Sequence, residues 1–347
     1  MIAEIEALLE QSKEERVKRN TDGLRLAEKA YDMSCRAGNT ELQIAAFRER
    51  IAYHYKLTSN YAEAERLCRH LQTMIDEETY PEVMGVTCNI LGVCNDVKGD
   101  YVESRNCYLQ TIDILEGRPG VAREGRISLA NAYYNLCKLY QQIEVEDRHM
   151  DYLDKAMEIF EAENETDGIA RVWNIRAAML PQGTPIEERL ELFRKAQQYY
   201  VQGNDEHGYG LCLSNIGLCH CHMGNFDEGI EDMIAALNTI TKSNSAPMIS
   251  FAQFQIAEGF RMKGDSVSAI VYLEMAEKTL LDSGAKVYLN VIYQEWATCL
   301  ASIGDYKQAY EKMWKHVEQV SDRIDFDRQA VAAQARLKFE LEKKQKE

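Results

Sequence analysis

The 347 residues carry 56 acidic against 40 basic side chains, a formal net charge of −16 at neutral pH. Phosphate backbones are held by clustered Lys and Arg, so this acidic balance argues against a nucleic-acid partner. Only 5 prolines accompany 46% apolar content, which suits a nearly all-helical chain. No apolar run reaches the ~18 residues of a membrane span, and no low-complexity linker divides the sequence.

The chain opens Met1-Ile2-Ala3-Glu4-Ile5-Glu6, with neither a basic segment nor an apolar stretch, so no secretory signal is expected. The first helical pair, with Ala27 and Tyr31 but Glu14-Glu15 before them, reads as a capping pair. From there an anchor residue, small at all but one position, recurs inside apolar helical stretches: Ala52, Gly92, Cys137, Arg176, Gly217, Ala257 and Ala297. The intervals are 40, 45, 39, 41, 40 and 40. A second small residue follows twelve positions later on the next helix, at Ala64, Ser104, Gly229, Ala269 and Ala309. A third lies seven beyond, at Thr111, Ala236 and Ala276. Small groups at these points let two antiparallel helices approach closely. Internal repetition of this kind predicts a stacked helical solenoid with one continuous core.

The turns repeat as well. Gly99-Asp100-Tyr101, Gly224-Asn225-Phe226 and Gly304-Asp305-Tyr306 are near-copies, and Gly264-Asp265-Ser266 is a weaker one. Glycine ends the first helix of each pair because positive φ is cheap for it. The fourth pair has Glu144-Val145-Glu146 instead. The fifth has Pro181-Gln182-Gly183-Thr184-Pro185, together with Arg176 where a small residue is expected. The fifth turn reads either as loop drift or as a bend or contact loop.

These motifs resemble the tetratricopeptide repeat. The third pair runs Asn89-Ile90-Leu91-Gly92 to Gly99-Asp100-Tyr101, the sixth Asn215-Ile216-Gly217 to Gly224-Asn225-Phe226, and the eighth Trp296-Ala297 to Gly304-Asp305-Tyr306. The usual repeat has about 34 residues, so each pair here carries roughly six more, as in lengthened versions similar to those of bacterial regulatory proteins. The resemblance implies an all-α, right-handed superhelical solenoid of about eight hairpins over residues 1–320, followed by a separate helix over 321–347.

After Val320 the repeat stops. Ser321-Asp322 suits a helix start, and Phe326, Ala330, Ala333, Leu337 and Leu341 follow at coiled-coil spacing. This stretch is similar to the connector leaving tetratricopeptide sensor regions of bacterial signalling proteins, where it leads to a diguanylate cyclase (GGDEF) domain, a histidine kinase or a helix-turn-helix regulator. It also fits a solvated helix covering the last repeat.

Catalytic signals are missing from the sequence. There is no Gly-x-Ser-x-Gly, no phosphate loop and no His-Glu-x-x-His. Ten cysteines lie mostly inside amphipathic helices, where a free thiol behaves as a small apolar group, and they fit reduced thiols in the cytoplasm. Cys219-His220-Cys221-His222, with Cys212 seven residues earlier, catches the eye, but consecutive helical residues point in different directions and cannot converge on one ion. No catalytic residue, cofactor or metal is therefore assigned.

In the resembled family the first helix of each pair lines an inner groove that binds peptides or proteins. The groove positions carried over are Asn131, Tyr134, Asn135 and Lys138, then Trp173 and Asn174, then Ser214 and Asn215, then Phe251, Phe254, Glu258 and Arg261. Asn135, Asn174 and Asn215 hold one helix position in three successive pairs. A carboxamide both donates and accepts, so such a line suits either an extended peptide backbone or bridges between neighbouring helices. Tyr134, Trp173 and Phe254 would supply apolar side-chain pockets. Lys138 is the only lysine among these positions, which disfavours a two-lysine clamp on a chaperone tail, although Arg261 is available. The expectation is a non-catalytic peptide- or protein-binding module that signals through its last helix and pairs as a homodimer there, or else a static assembly adaptor.

Overall fold

The computed structural model describes residues 1–142, 149–181 and 183–320. Among these, sixteen α-helices follow one another and no strand occurs. They are α1 (Ile2–Val17), α2 (Gly23–Ala37), α3 (Thr40–Ala52), α4 (Tyr61–Met74), α5 (Pro81–Lys98), α6 (Tyr101–Leu115), α7 (Arg123–Gln142) and α8 (His149–Ala162). Then come α9 (Thr166–Ala178), α10 (Ile186–Gly203), α11 (Glu206–His222), α12 (Phe226–Ile240), α13 (Ala246–Lys263), α14 (Ser266–Ser283) and α15 (Leu289–Ser302), with α16 over 306–320. A π-helical turn, Tyr53–Leu57, extends α3. The predicted connector residues Phe326, Ala330, Ala333, Leu337 and Leu341 lie outside the described residues, as does the Glu144-Val145-Glu146 turn.

The helix ends follow from the repeated turn. Gly99, Gly224, Gly264 and Gly304 all sit at positive φ, between 82° and 90°, and each stops an odd-numbered helix. The next residue caps the following helix: Asp100 accepts from the Glu103 amide, Asp265 from the Ser268 amide and Asp305 from the Gln308 amide. Asn60 does the same for α4 through the Glu63 amide.

Successive helices pair as eight hairpins, α1 with α2 through α15 with α16. The odd-numbered helices also pack on one another, α5 on α7, α9 on α11 and α11 on α13, which places them along the inner wall. Within hairpins the small residues are buried at the contact, with Ala64, Ser104, Ala236, Ala269 and Ala276 fully enclosed. Gly217 and Gly229 bring α11 and α12 to backbone contact, since a Cβ on Gly217 would lie 2.5 Å from the Gly229 carbonyl oxygen.

The fifth pair shifts the register. At the anchor position of α9 it is Ala177, not Arg176, that is fully buried, and Arg176 pairs with Asp154 of α8 at 2.5 Å. With Ala177 as anchor, the intervals from Cys137 through Gly217 become 40 and 40. An independent pattern agrees. Tyr133, Trp173 and Tyr293 each lie four before an anchor, and each ring is covered by a lysine 22 residues on, Lys155, Lys195 or Lys315, at 5.0, 3.5 and 5.1 Å.

The solenoid meets itself after one turn. The Arg19 guanidinium of the first hairpin hydrogen-bonds His207 Nε2 at the start of the sixth. The Lys286 amide, just before the eighth hairpin, donates to the Val97 carbonyl of the third at 3.1 Å. Both contacts join elements about five hairpins apart, so the inner wall curves back on itself.

Candidate functional site

The inner wall is strung together by carboxamides. Gln255 Nε2 donates to Asn215 Oδ1 at 2.6 Å, and Asn215 Nδ2 donates to Asn174 Oδ1 at 3.0 Å, linking α13, α11 and α9. Asn135 of α7 donates to Asn89 of α5 at 3.4 Å. Between α9 and α7 the line changes chemistry: the Arg171 guanidinium donates to Asn131 Oδ1 at 2.9 Å while lying 5.2 Å from the Tyr134 ring centroid. At the far end Arg261 pairs with Glu295 of α15. The asparagines thus bridge neighbouring helices. The bridges leave capacity over, because each carboxamide has two N–H donors and two acceptor lone pairs. Gln255 Oε1 is buried without a partner, and an unmatched buried acceptor is costly unless water or a ligand meets it.

A second group lies on the same wall around Lys138. Lys138 of α7 stands within electrostatic reach of Tyr288, Asp96, Tyr134 and Tyr55. Burial works against its charge, but the surrounding groups outweigh burial and raise its pKa. Burial pushes the Asp96 carboxyl up, with Lys138 pulling the other way, and Asp96 Oδ1 has no hydrogen-bond partner. Tyr288 comes from the loop before α15 with φ of 70°, an outlier for a bulky residue, held by the adjacent Lys286–Val97 bond. Its ring lies 5.1 Å from Phe251, which stacks 6.2 Å from Phe254. One turn further along α13, Glu258 is pushed up to about 7 by burial and by Glu295, against the pull of Arg261.

The structure therefore brings together Asn131, Tyr134, Asn135, Lys138, Asn174, Asn215, Phe251, Phe254, Glu258 and Arg261 along one wall. Trp173 sits on the flank facing the outer layer, under Lys195, in register with Tyr133 and Tyr293. Ser214 is fully buried beside the line. Sequence reasoning passed over Asn89, Asp96, Arg171, Gln255, Tyr288 and Glu295. For two of these the signal was present: Gln255 and Glu295 stand two residues before Ala257 and Ala297, as Asn135 and Asn215 stand before their anchors.

The cysteine cluster belongs to the core. Cys212 donates to the Phe193 carbonyl, and burial pushes its thiol up to about 12 and those of Cys219 and Cys221 to about 11. Such thiols are poor nucleophiles and poor ligands. Among the described residues no cluster of three or more His, Cys, Asp or Glu side chains is placed to hold a metal ion, and no helix is long and apolar enough to cross a membrane.

No protein-family model matches the chain, and no curated protein matches it in sequence. Solved structures do match in shape. The Rap conjugation gene regulator of the plasmid pLS20, solved with the Phr* peptide, superposes with a TM-score of 0.62 at 10% identity, over 93% of this chain and 96% of that one. NprR with its cognate peptide NprX gives 0.59 at 12% identity, over 95% and 99%. A Rap protein complexed with competence and sporulation factor gives 0.59 at 14% identity, over 86% and 81%. The fold is that of the Rap and NprR regulators. At such low identity the likeness carries the architecture, a tetratricopeptide-like solenoid, and not the ligand.

Proposed function

We propose that this chain is a non-catalytic regulator that binds a short peptide in an extended conformation along the inner wall of its solenoid. The observation that carries this reading is the carboxamide line Asn174–Asn215–Gln255, which retains free N–H donors and ends in the unpartnered Gln255 Oε1. A peptide backbone offers an N–H and a C=O at every residue, the groups this line lacks. Phe251, Phe254 and Tyr288 beside it give an apolar side chain a place to rest. Two of the structurally similar proteins were solved with a peptide and a third with competence and sporulation factor, and this supports the reading without deciding the ligand.

The output side of the proposal lies at the last hairpin. Tyr306, Tyr310, Trp314 and Val317 of α16 are at least half exposed, an apolar face of the kind that marks a further contact. We infer that a second copy of the chain docks there and carries the response, in the cytoplasm. Attachment to a diguanylate cyclase rests on the connector sequence alone and gains no support from the structures named above.

A random short-peptide library tests the binding reading. The wild-type chain is expected to enrich particular peptides, and a variant with Asn135→Ala, Asn174→Ala and Asn215→Ala, checked for retained helicity, is expected to lose them. Equal capture by both would discard the carboxamide line as the recognition element.

A further inference from the structure

Lys138 and Glu258 stand at one register, each a single residue after its anchor, on the fourth and seventh hairpins. Neither has a hydrogen bond or an ion pair among the described residues. Of the other charges on the wall, Arg171 is committed to Asn131 and the Tyr134 face and Arg261 to Glu295, while Asp96 Oδ1 is buried without a partner. With Asp96 and Glu258 both ionised, Lys138, Arg171 and Asp96 sum to one net positive charge and Glu258, Glu295 and Arg261 to one net negative charge. Glu258, raised to about 7, holds its share fully only above neutral pH or once a cation meets it. Phe251, Phe254 and Tyr288 lie between the two ends, their rings in a chain with centroid spacings of 5.1 and 6.2 Å. A partly enclosed charge without a partner is costly, and a charge-assisted hydrogen bond from a ligand relieves that cost more than a neutral one does.

We propose that the inner wall reads the polarity of its peptide: an anionic group is taken at Lys138, a cationic group at Glu258, and an apolar side chain on the aromatic row between them. This rests on the peptide-binding reading above and goes beyond it by naming the ligand's chemistry and its direction along the wall. Asp96 Oδ1, buried and unpartnered next to Lys138, takes an N–H from the same end of the peptide. The anion is either a terminal carboxylate or an Asp or Glu side chain, and the cation either a terminal ammonium or a Lys or Arg side chain.

The test uses the full chain and the peptides it enriches from the random library, remade one change at a time. The C-terminus is amidated or the acidic side chains are replaced by amides; the N-terminus is acetylated or the basic side chains are replaced by Gln. The change that removes the anion should weaken binding to the wild type about tenfold, and binding to Lys138→Met by about twofold or less. Removing the cation should do the same for the wild type against Glu258→Gln. Lys138→Arg should restore the anion preference. If neutralised peptides bind the wild type as well as their parents, the polarity proposal falls while peptide binding stands. The same holds if both variants keep the full penalties. If the wild type enriches no peptide at all, both fall. Should either variant fail to fold, the wild-type comparison between parent and neutralised peptides still decides the matter.

Discussion

Hairpins five and six sit side by side and are built on different contacts. In hairpin six the helices meet backbone to backbone through Gly217 and Gly229, and nothing larger than hydrogen fits. In hairpin five the contact rests on Ala170 and Ala177, both fully buried, with Phe193 and Leu190 filling the space opposite. Arg176, at the position that reads as the anchor by spacing, is engaged by Asp154 and by the Trp173 face. A repeat therefore tolerates a one-residue slide of its seam when side chains fill the gap, and tolerates none where two glycines touch.

The sharpest way to break that comparison is Gly217→Val. Its branched side chain must displace the Gly229 carbonyl, and overpacking against backbone costs about 3 kcal/mol or more. The thermal melt should fall steeply, and the α11–α12 amides should lose hydrogen-exchange protection first, because a solenoid can open one repeat at a time. In hairpin five, Ala177→Leu should cost about 2 kcal/mol. Arg176→Ala should cost about 1 kcal/mol or less, since the Asp154 partner is largely exposed. Should Arg176→Ala prove the more damaging of the two, the shifted register is wrong.

A smaller effect sharpens the comparison along the inner wall. Asn215 accepts from Gln255 and donates to Asn174, so Asn215→Ala removes two bonds and strands two carboxamides. A loss of about 2 kcal/mol is expected. Asn135→Ala, with one 3.4 Å bond to Asn89, should cost about 0.5 kcal/mol. A double-mutant cycle between Asn215 and Gln255 should return a coupling energy, while Asn135 with Gln255 should be additive.

These contrasts explain what the sequence made legible. The regular hairpins were readable because glycine and alanine mark the helix contact and the Gly-Asp turn marks its end. Hairpin five was not, because a charged residue occupied the counted position and only burial identifies Ala177 as its replacement. The carboxamide line was readable as asparagine, but the three do not share one helix position. With Ala177 as anchor, Asn174 stands three residues before it, where Asn135 and Asn215 stand two before theirs. The line asks for a donor and an acceptor rather than one residue type, so Gln255 escaped notice. Tyr288 and Asp96 were out of reach. Tyr288 enters the site only because the superhelix returns after about five hairpins to join Lys286 to Val97, a pitch that local spacing does not encode. Asp96 reaches Lys138 from the neighbouring inner helix α5 but stands four residues after its anchor, outside the positions counted.

The other closing contact responds to acid. His207 accepts from Arg19, which requires the imidazole to be neutral at Nε2. Burial, and then the Arg19 charge, hold its pKa below the usual histidine value, while Asp205, Glu206 and the Thr239 backbone pull it upward. A histidine lowered in the folded chain takes its proton more readily when unfolded. Its contribution is therefore complete above the ordinary value of about 6.5 and is lost as pH falls below it. His54 and His222 are lowered by burial in the same sense, whereas the raised carboxyls of Asp167 and Glu258 act in the opposite one. The wild-type melt alone is therefore ambiguous, and the informative quantity is the difference from His207→Gln, which keeps an acceptor for Arg19 and cannot charge. Between pH 7.5 and 5.5 the wild type should lose exchange protection at residues 19–23 and 205–209 relative to that variant. Parallel curves for the two chains would mean that Arg19 and His207 do not hold this side of the ring closed.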